Sequence, residues 1–248
     1  MATPDWLIAR PIAHRGLHDQ KRGIIENTLS AANAAVAQRF AIECDVQSTS
    51  NGEVVVFHDD FLDRLTMTDG AVKDYTLWDL QRFKLKDTDE KIPSLIEFLH
   101  EIAGKVPLIC EIKSNFDENP TTTLRTLEIL KTYPGPVAIK SFDPFIVALT
   151  RDLAPDRPRG FIGESTYDDP EWSFLGKEKK EYLVGLSHLA GNNTDFISWY
   201  KKDISKTGPR LARELSGLPL MTWTVRTLHE MDYCREFSDQ IVFENFLP

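Results

Sequence analysis

Four short stretches place ionisable residues where apolar runs end: AHRG at 13–16, ECD at 43–45, FHD at 57–59 and CEIK at 110–113. Strand side chains alternate from face to face. Glu43 and Asp45 therefore share one face, opposite Cys44, while Glu111 and Lys113 share one opposite Cys110. Three carboxylates on adjacent inner positions repel one another and lose their hydration. A divalent cation removes both objections, and an all-oxygen donor set suits Mg2+ or Ca2+ better than Zn2+. The plainer alternative puts the same acids at exposed strand ends or in ion pairs with Lys113 and Arg15. His14 and His58 each close a strand, and imidazole carries protons near neutral pH. Two of them beside one centre can divide the work of acid and base. Arg15 and Lys113 add positive charge for an oxyanion. The combination points to phosphoryl chemistry without a covalent protein nucleophile, since Ser141 lacks a GxSxG setting.

Positioning these groups requires strands that end together. Apolar, strand-like pieces recur at LIARPIAH, AIECDV, EVVVFHD, KVPLICEIKS, PVAIKSF, PRGFIGE, DFISWY, LPLMTWTVR and DQIVFENF. Helical patterns fall between many of them: ENTLSAANAAVAQRF with Asn27 as N-cap, IPSLIEFLHEIAG, NPTTTLRTLEILKTYPG, DPFIVALTRDLAP and GPRLARELSG. Alternation of this kind means an α/β protein with a mainly parallel sheet, and 248 residues suit a closed TIM (β/α)8 barrel. Nine strand candidates are one too many for eight positions. A doubly wound open sheet is the alternative, but the first strand leads to HRG and not to a GxGxxG turn. The polar stretch from about residue 60 to 92 reads as a small insertion or flap, with Phe61 and Leu62 packing it, and residues 165–193 resist assignment. The whole chain, 1–248, is expected to form one domain.

Bulk properties narrow the partners. A net charge of -9 argues against nucleic acid or an anionic membrane. Cys44, Cys110 and Cys234 form no CxxC pair and no dense framework, which fits a reducing, cytoplasmic home. MATPDWLIARPIAHRG has no basic region followed by a long apolar run, so it does not read as a secretory signal. No stretch reaches the 18 or so apolar residues of a membrane span.

In order along the chain, HRG at 14–16, ENT at 26–28, ECDV at 43–46, NGEVVVFHD at 51–59 and Leu62-x-Arg64-x-Thr66 with Gly70 resemble the glycerophosphodiester phosphodiesterase family. IPSL at 92–95, EIK at 111–113, SF at 141–142 and WTV at 223–225 continue the resemblance. It implies a TIM barrel that hydrolyses small glycerophosphodiesters to an alcohol and sn-glycerol 3-phosphate. On matched motif positions, His14 and His58 resemble the acid/base pair, and Glu43, Asp45 and Glu111 resemble ligands of one divalent cation, Mg2+ or Ca2+. Arg15 resembles the phosphate contact, with Lys113 assisting. Trp223 either stacks on the glycerol carbons or belongs to the barrel core. Glu26 and Asn27 are candidates to brace the site, and Asp59 to orient His58. Arg226 and the Glu244-Asn245-Phe246 ending depart from the family pattern and bear on the leaving group. A lysophospholipase D-like or C-like activity and a non-catalytic phosphate-ester-binding barrel are the rivals. A monomer or homodimer is expected, with a small-molecule substrate as partner.

Overall fold

The computed structural model describes residues 3–248. Its fold class is the expected α/β (β/α)8 barrel, built of parallel strands with helices between them. The chain divides into two compact units, Ile12–Ala138 and Met1–Pro11 with Ile139–Pro248.

In the first unit, β1 (Ile12–Ala13), α1 (Leu29–Ala37), β2 (Ala41–Ser48) and β3 (Val54–Val56) are followed by α2 (Leu77–Leu80), α3 (Leu95–Ile102), β4 (Leu108–Ile112) and α4 (Thr121–Leu130). β2 is flanked by β1 and β4, both parallel to it. β3 runs antiparallel to β2, with Val46 opposite Val56. This accounts for the surplus ninth strand: β3 is the second arm of a hairpin and not one of the eight parallel strands. β2 has parallel neighbours on both sides and is buried from Ala41 to Gln47, with apolar Ile42, Cys44 and Val46 on one face and Glu43, Asp45 and Gln47 on the other.

α3 shows how local sequence sets an element. Ser94 Oγ accepts from the Glu97 N–H, and Glu97 Oε2 accepts from the Ser94 N–H at 2.8 Å. This reciprocal cap starts the helix. Leu95, Phe98, Leu99 and Ile102 then fall on one buried stripe. α1 begins later than the sequence pattern implies. Thr28, not Asn27, is its N-cap, with Thr28 Oγ1 accepting from the Ala31 N–H at 3.2 Å. Asn27 has a left-handed backbone (φ 57°) and its side chain is engaged elsewhere.

The insertion is an ordered structure with its own apolar core. Leu62, Leu65, Val72, Leu80 and Leu85 pack with Val55 and Phe57 of the β3 segment. Leu62 joins that core as expected, but Phe61 is 60% exposed and does not. Its backbone is used instead in a bridge to Ala71.

In the second unit β5 (Val137–Ser141), α5 (Pro144–Leu153), β6 (Arg159–Gly163), α6 (Lys177–Val184), α7 (His188–Gly191), β7 (Phe196–Tyr200), α8 (Thr207–Ser216), β8 (Leu220–Val225), α9 (Leu228–Arg235) and β9 (Gln240–Phe243) follow in order. β5 to β9 pair in parallel, each with the next. The unassigned stretch after Ser165 holds a short 3-10 turn, α6 and α7. Pro144 at the first turn of α5, with Asp143 Oδ1 accepting from Phe145 N–H at 3.0 Å, fixes that helix start. Gln240 Nε2 donates to the carbonyls of Leu7 and Arg10, tying the N-terminal segment to β9.

The turn after β1 carries the first site residues and depends on Gly16. Arg15 and Gly16 are both left-handed, at φ 56° and 78°, and a Cβ on Gly16 would lie 2.8 Å from the backbone carbon and the Cβ of Ala31. Gly16→Ala should therefore destabilise the protein by about 1–3 kcal/mol through strain and overlap. Chemical denaturation reads this as a lower midpoint; an unchanged midpoint would contradict the assignment.

Candidate active site

β2 and β4 bring the acids together. Their register sets Asp45 directly beside Glu111, and Cys44 beside Cys110 on the opposite face. Glu43 is two residues before Asp45 on the same face. The three carboxylates are buried, with exposures of 0%, 1% and 5% for Glu43, Asp45 and Glu111. One oxygen from each lies within 4.8 Å of the others, so the three can reach a common ion. The exposed-strand-end alternative is thus excluded, whereas the ion-pair alternative holds in part. Lys113 Nζ is 3.0 Å from Asp45 Oδ1 and 2.8 Å from Glu111 Oε1. Arg15 Nε is 3.4 Å from Asp45 Oδ2, a charge contact and not a tight hydrogen bond.

The three buried carboxylates, one oxygen of each within 4.8 Å of the others, form a donor set that matches the hard-ion preference of a divalent cation for oxygen. The residues present therefore fit such an ion.

Asp45 is the electrostatic centre. Burial alone would raise its carboxyl, but Lys113, His58, Arg15 and His14 together hold it well below the ordinary aspartate value. Burial would lower the Lys113 ammonium, yet Asp45 and Glu111 outweigh it and raise its pKa.

Hydrogen bonds fix this group in place. Arg15 N–H donates to Glu43 Oε2 at 3.0 Å, and Gly16 N–H donates to the Glu43 carbonyl at 3.2 Å. Asn27 Nδ2 donates to Asp45 Oδ2 at 2.9 Å, while Asn27 Oδ1 accepts from Asp45 N–H at 3.3 Å. This is the bracing role considered for Asn27, realised in place of the cap. His58 follows β3, and its Nδ1 is 2.6 Å from Asp59 Oδ1. Burial works against the Asp59 anion, but His58 and Arg64 hold its pKa far below normal. An anionic Asp59 can only accept, so His58 Nδ1 carries the proton and Nε2 is left for chemistry.

Two participants lacked a role in the sequence. Gln47 Nε2 donates to the carbonyls of Phe57 and Asp59, each at 2.8 Å, and so fixes the backbone on either side of His58. Its signal was available, because residues 43, 45 and 47 alternate along one face of β2. Arg64 of the insertion donates to Asp59 Oδ2 at 2.5 Å and to Glu26 Oε1 at 2.6 Å. Glu26 in turn accepts from Arg15 Nη1 at 2.5 Å. Only proximity in three dimensions reveals this chain of contacts from His58 to Arg15. Trp223 lies in the second unit on β8, where its Nε1 donates to the Ser198 carbonyl at 3.1 Å.

Strand ends that bring three acids, two imidazoles and two cationic side chains together define a barrel hydrolase of phosphoric esters. The chain matches the glycerophosphoryl diester phosphodiesterase family over residues 14–247, and it belongs to that family. It is accordingly an enzyme, a phosphoric diester hydrolase. It is 32% identical over 169 residues to a glycerophosphodiester phosphodiesterase of Caldanaerobacter subterraneus subsp. tengcongensis, covering 64% of this chain and 68% of that one. With the enzyme of that name from Bacillus subtilis it shares 27% identity over 99% of this chain and 86% of the other. Among solved structures, a phosphodiesterase of Oleispira antarctica, in complex with the product sn-glycerol-3-phosphate, superposes with a TM-score of 0.77 at 23% identity. That match covers 96% of this chain and 93% of the other, and it supports the barrel fold.

Glu26 offers a test through acid stability. Burial would raise its carboxyl, but Arg64 and Arg15 lower it to about 2. A depressed carboxyl contributes stability that is present above the unfolded value of about 4.3 and is lost as pH falls toward the folded value. Glu26→Gln should cost on the order of 2 kcal/mol at pH 7. It should also flatten the acid decline of stability between about pH 4.3 and pH 2. Denaturation midpoints across that range check it, and an unaltered acid slope would refute the pairing.

Proposed function

We propose that this enzyme hydrolyses small, deacylated glycerophosphodiesters to sn-glycerol 3-phosphate and an alcohol, using one divalent cation and a histidine acid/base pair. The convergence of Glu43, Asp45 and Glu111 within 4.8 Å, beside Lys113 and Arg15, carries this reading. The names of the curated relatives support the substrate class. Glu43, Asp45 and Glu111 would hold the cation, Mg2+ or Ca2+, which when bound offsets phosphate charge and makes a coordinated hydroxyl or water more acidic.

The chain's own groups have separate duties. Arg15 and Lys113 bind the phosphate and stabilise the added negative charge of the transition state. One imidazole of the His14/His58 pair takes the proton of the attacking water, or of the neighbouring glycerol hydroxyl where a cyclic phosphate forms first and water then opens it, as the new oxygen–phosphorus bond forms. The other donates a proton to the alkoxide as the ester bond to the alcohol breaks. Asp59 keeps His58 in the tautomer whose Nε2 is available for transfer. Trp223 is read as a contact for the glycerol carbons. Among the described residues no helix is long and apolar enough to cross a membrane. Cys44, Cys110 and Cys234 are free and buried, and we assign the enzyme to the reducing cytoplasm.

The lysophospholipase alternative calls for an apolar rim to receive an acyl chain. The composition of the insertion leans toward small substrates, with Asp63, Asp69, Lys73 and Asp74 among its polar residues, although Phe61, Met67 and Trp78 are exposed on it as well. Purified enzyme should therefore turn over glycerophosphocholine faster than lysophosphatidylcholine at equal concentration. Activity should vanish with EDTA and return with Mg2+ or Ca2+, and His14→Ala and His58→Ala should each cost on the order of 10²-fold or more. Full activity after chelation, or in both histidine variants, would overturn the mechanism. Faster turnover of the lysolipid would overturn the substrate class.

Asp59 allows a finer test. Asp59→Asn should lower kcat by on the order of 10–100-fold with a smaller effect on KM, because the orienting partner of a reacting imidazole is weakened. Asp59→Glu should recover part of the loss. An unchanged kcat in the asparagine variant would remove Asp59 from the mechanism.

A further inference from the structure

Arg64 stands on a turn of the insertion that is fixed on both sides. Leu62 and Leu65 are buried in the insertion's apolar core. Thr66 Oγ1 donates to the Leu62 carbonyl at 3.1 Å and accepts from Thr68 N–H at 3.0 Å, which holds the turn closed. The Arg64 side chain itself is 44% exposed. Ion pairs in such contact with water add little to stability. The use of this residue must be sought in where its donors go.

Its guanidinium grips two carboxylates, each by two hydrogen bonds. Nε donates to Asp59 Oδ2 at 2.5 Å and Nη2 to Asp59 Oδ1 at 3.0 Å. Nη1 donates to Glu26 Oε2 at 2.9 Å and Nη2 to Glu26 Oε1 at 2.6 Å. Both carboxylate planes are thereby set, and each acid keeps an oxygen for a second partner. Asp59 Oδ1 lies 2.6 Å from His58 Nδ1, and Glu26 Oε1 accepts from Arg15 Nη1 at 2.5 Å. A planar guanidinium can serve two carboxylates in this way, whereas an ammonium is a point charge that fixes neither plane.

We propose that Arg64 is a positioning residue for the hydrolysis: one guanidinium aligns Asp59 behind His58 and Glu26 behind Arg15, so the insertion sets the imidazole and the phosphate contact relative to each other. The inference rests on the roles given above to His58 and Arg15. Small displacements of reacting groups are costly in rate, so a clamp at this distance from the chemistry has leverage. A merely structural ion pair has different consequences. Charge alone would then suffice, lysine would replace arginine, and the loss would fall on stability with no division between kcat and KM.

Steady-state kinetics of the full-length enzyme on glycerophosphocholine test this. Arg64→Ala should lower kcat by on the order of 10-fold or more through His58, and raise KM several-fold through Arg15. Arg64→Lys, which keeps the charge, should recover little of either. Added guanidinium ion should restore part of the lost kcat in Arg64→Ala, and methylammonium should not. In double-mutant cycles the kcat effect should largely vanish in an Asp59→Asn background, and the KM effect in a Glu26→Gln background. Cooperative thermal melting establishes that each variant is folded. Unchanged kcat and KM in folded Arg64→Ala, full activity in Arg64→Lys, equal rescue by methylammonium, or losses that simply add to those of both partners would each overturn the assignment. Normal turnover by the wild-type enzyme with indifferent Arg64 variants rejects the positioning role alone. A wild-type enzyme inert toward glycerophosphodiesters overturns the phosphodiesterase reading, and with it the role that rests on it.

Discussion

Asp45 and Glu111 stand side by side across two parallel strands, both buried and both acidic. Most of the first unit can be understood as the set of interactions that makes this arrangement tolerable. Like charges in a poorly solvated space are strongly unfavourable unless opposite charge and hydrogen bonds are built around them. Lys113 supplies that charge from the end of β4, and Arg15 from the turn after β1. Asn27 supplies the hydrogen bonds, and its left-handed backbone is part of delivering them. The converging oxygens of Glu43, Asp45 and Glu111 are a donor set that fits a hard cation.

β2 is the hub of these interactions. Its inward residues Glu43, Asp45 and Gln47 act in succession on the β1 turn, the charged centre and the backbone around His58. Its backbone takes part as well: the Glu43, Asp45 and Val46 carbonyls accept from Gly16, Phe57 and Lys113 N–H groups. Residues far apart in sequence are thereby placed by one rigid strand. Loops alone hold such geometry poorly, because they bury little and open easily.

Much of this was legible in the sequence because it follows from period and chemistry. Alternation placed Glu43 with Asp45, and the apolar runs located all nine strands. What the sequence could not convey was pairing across distance. That β3 turns back on β2, and so is surplus to the eight, depends on a hairpin whose direction no local pattern states. Asn27 has the right residue type for a helix cap, yet Thr28 performs that task just as well and frees Asn27 for Asp45. Phe61 looks like core by type, but Leu62 beside it occupies the apolar side. Arg64 is unremarkable as a surface arginine until Glu26 and Asp59, 38 and five positions away, are seen to flank it.

Glu26 is held by two guanidiniums, one from the β1 turn and one from the insertion. This shared anion ties the insertion to the β1 turn, so the insertion is not a freely exchangeable module. Transplanting a relative's segment without a matching base would leave a surplus acid beside Arg15. Lineages that remodel this segment should therefore change positions 26 and 64 together, leaving a correlated trace even where overall similarity has faded.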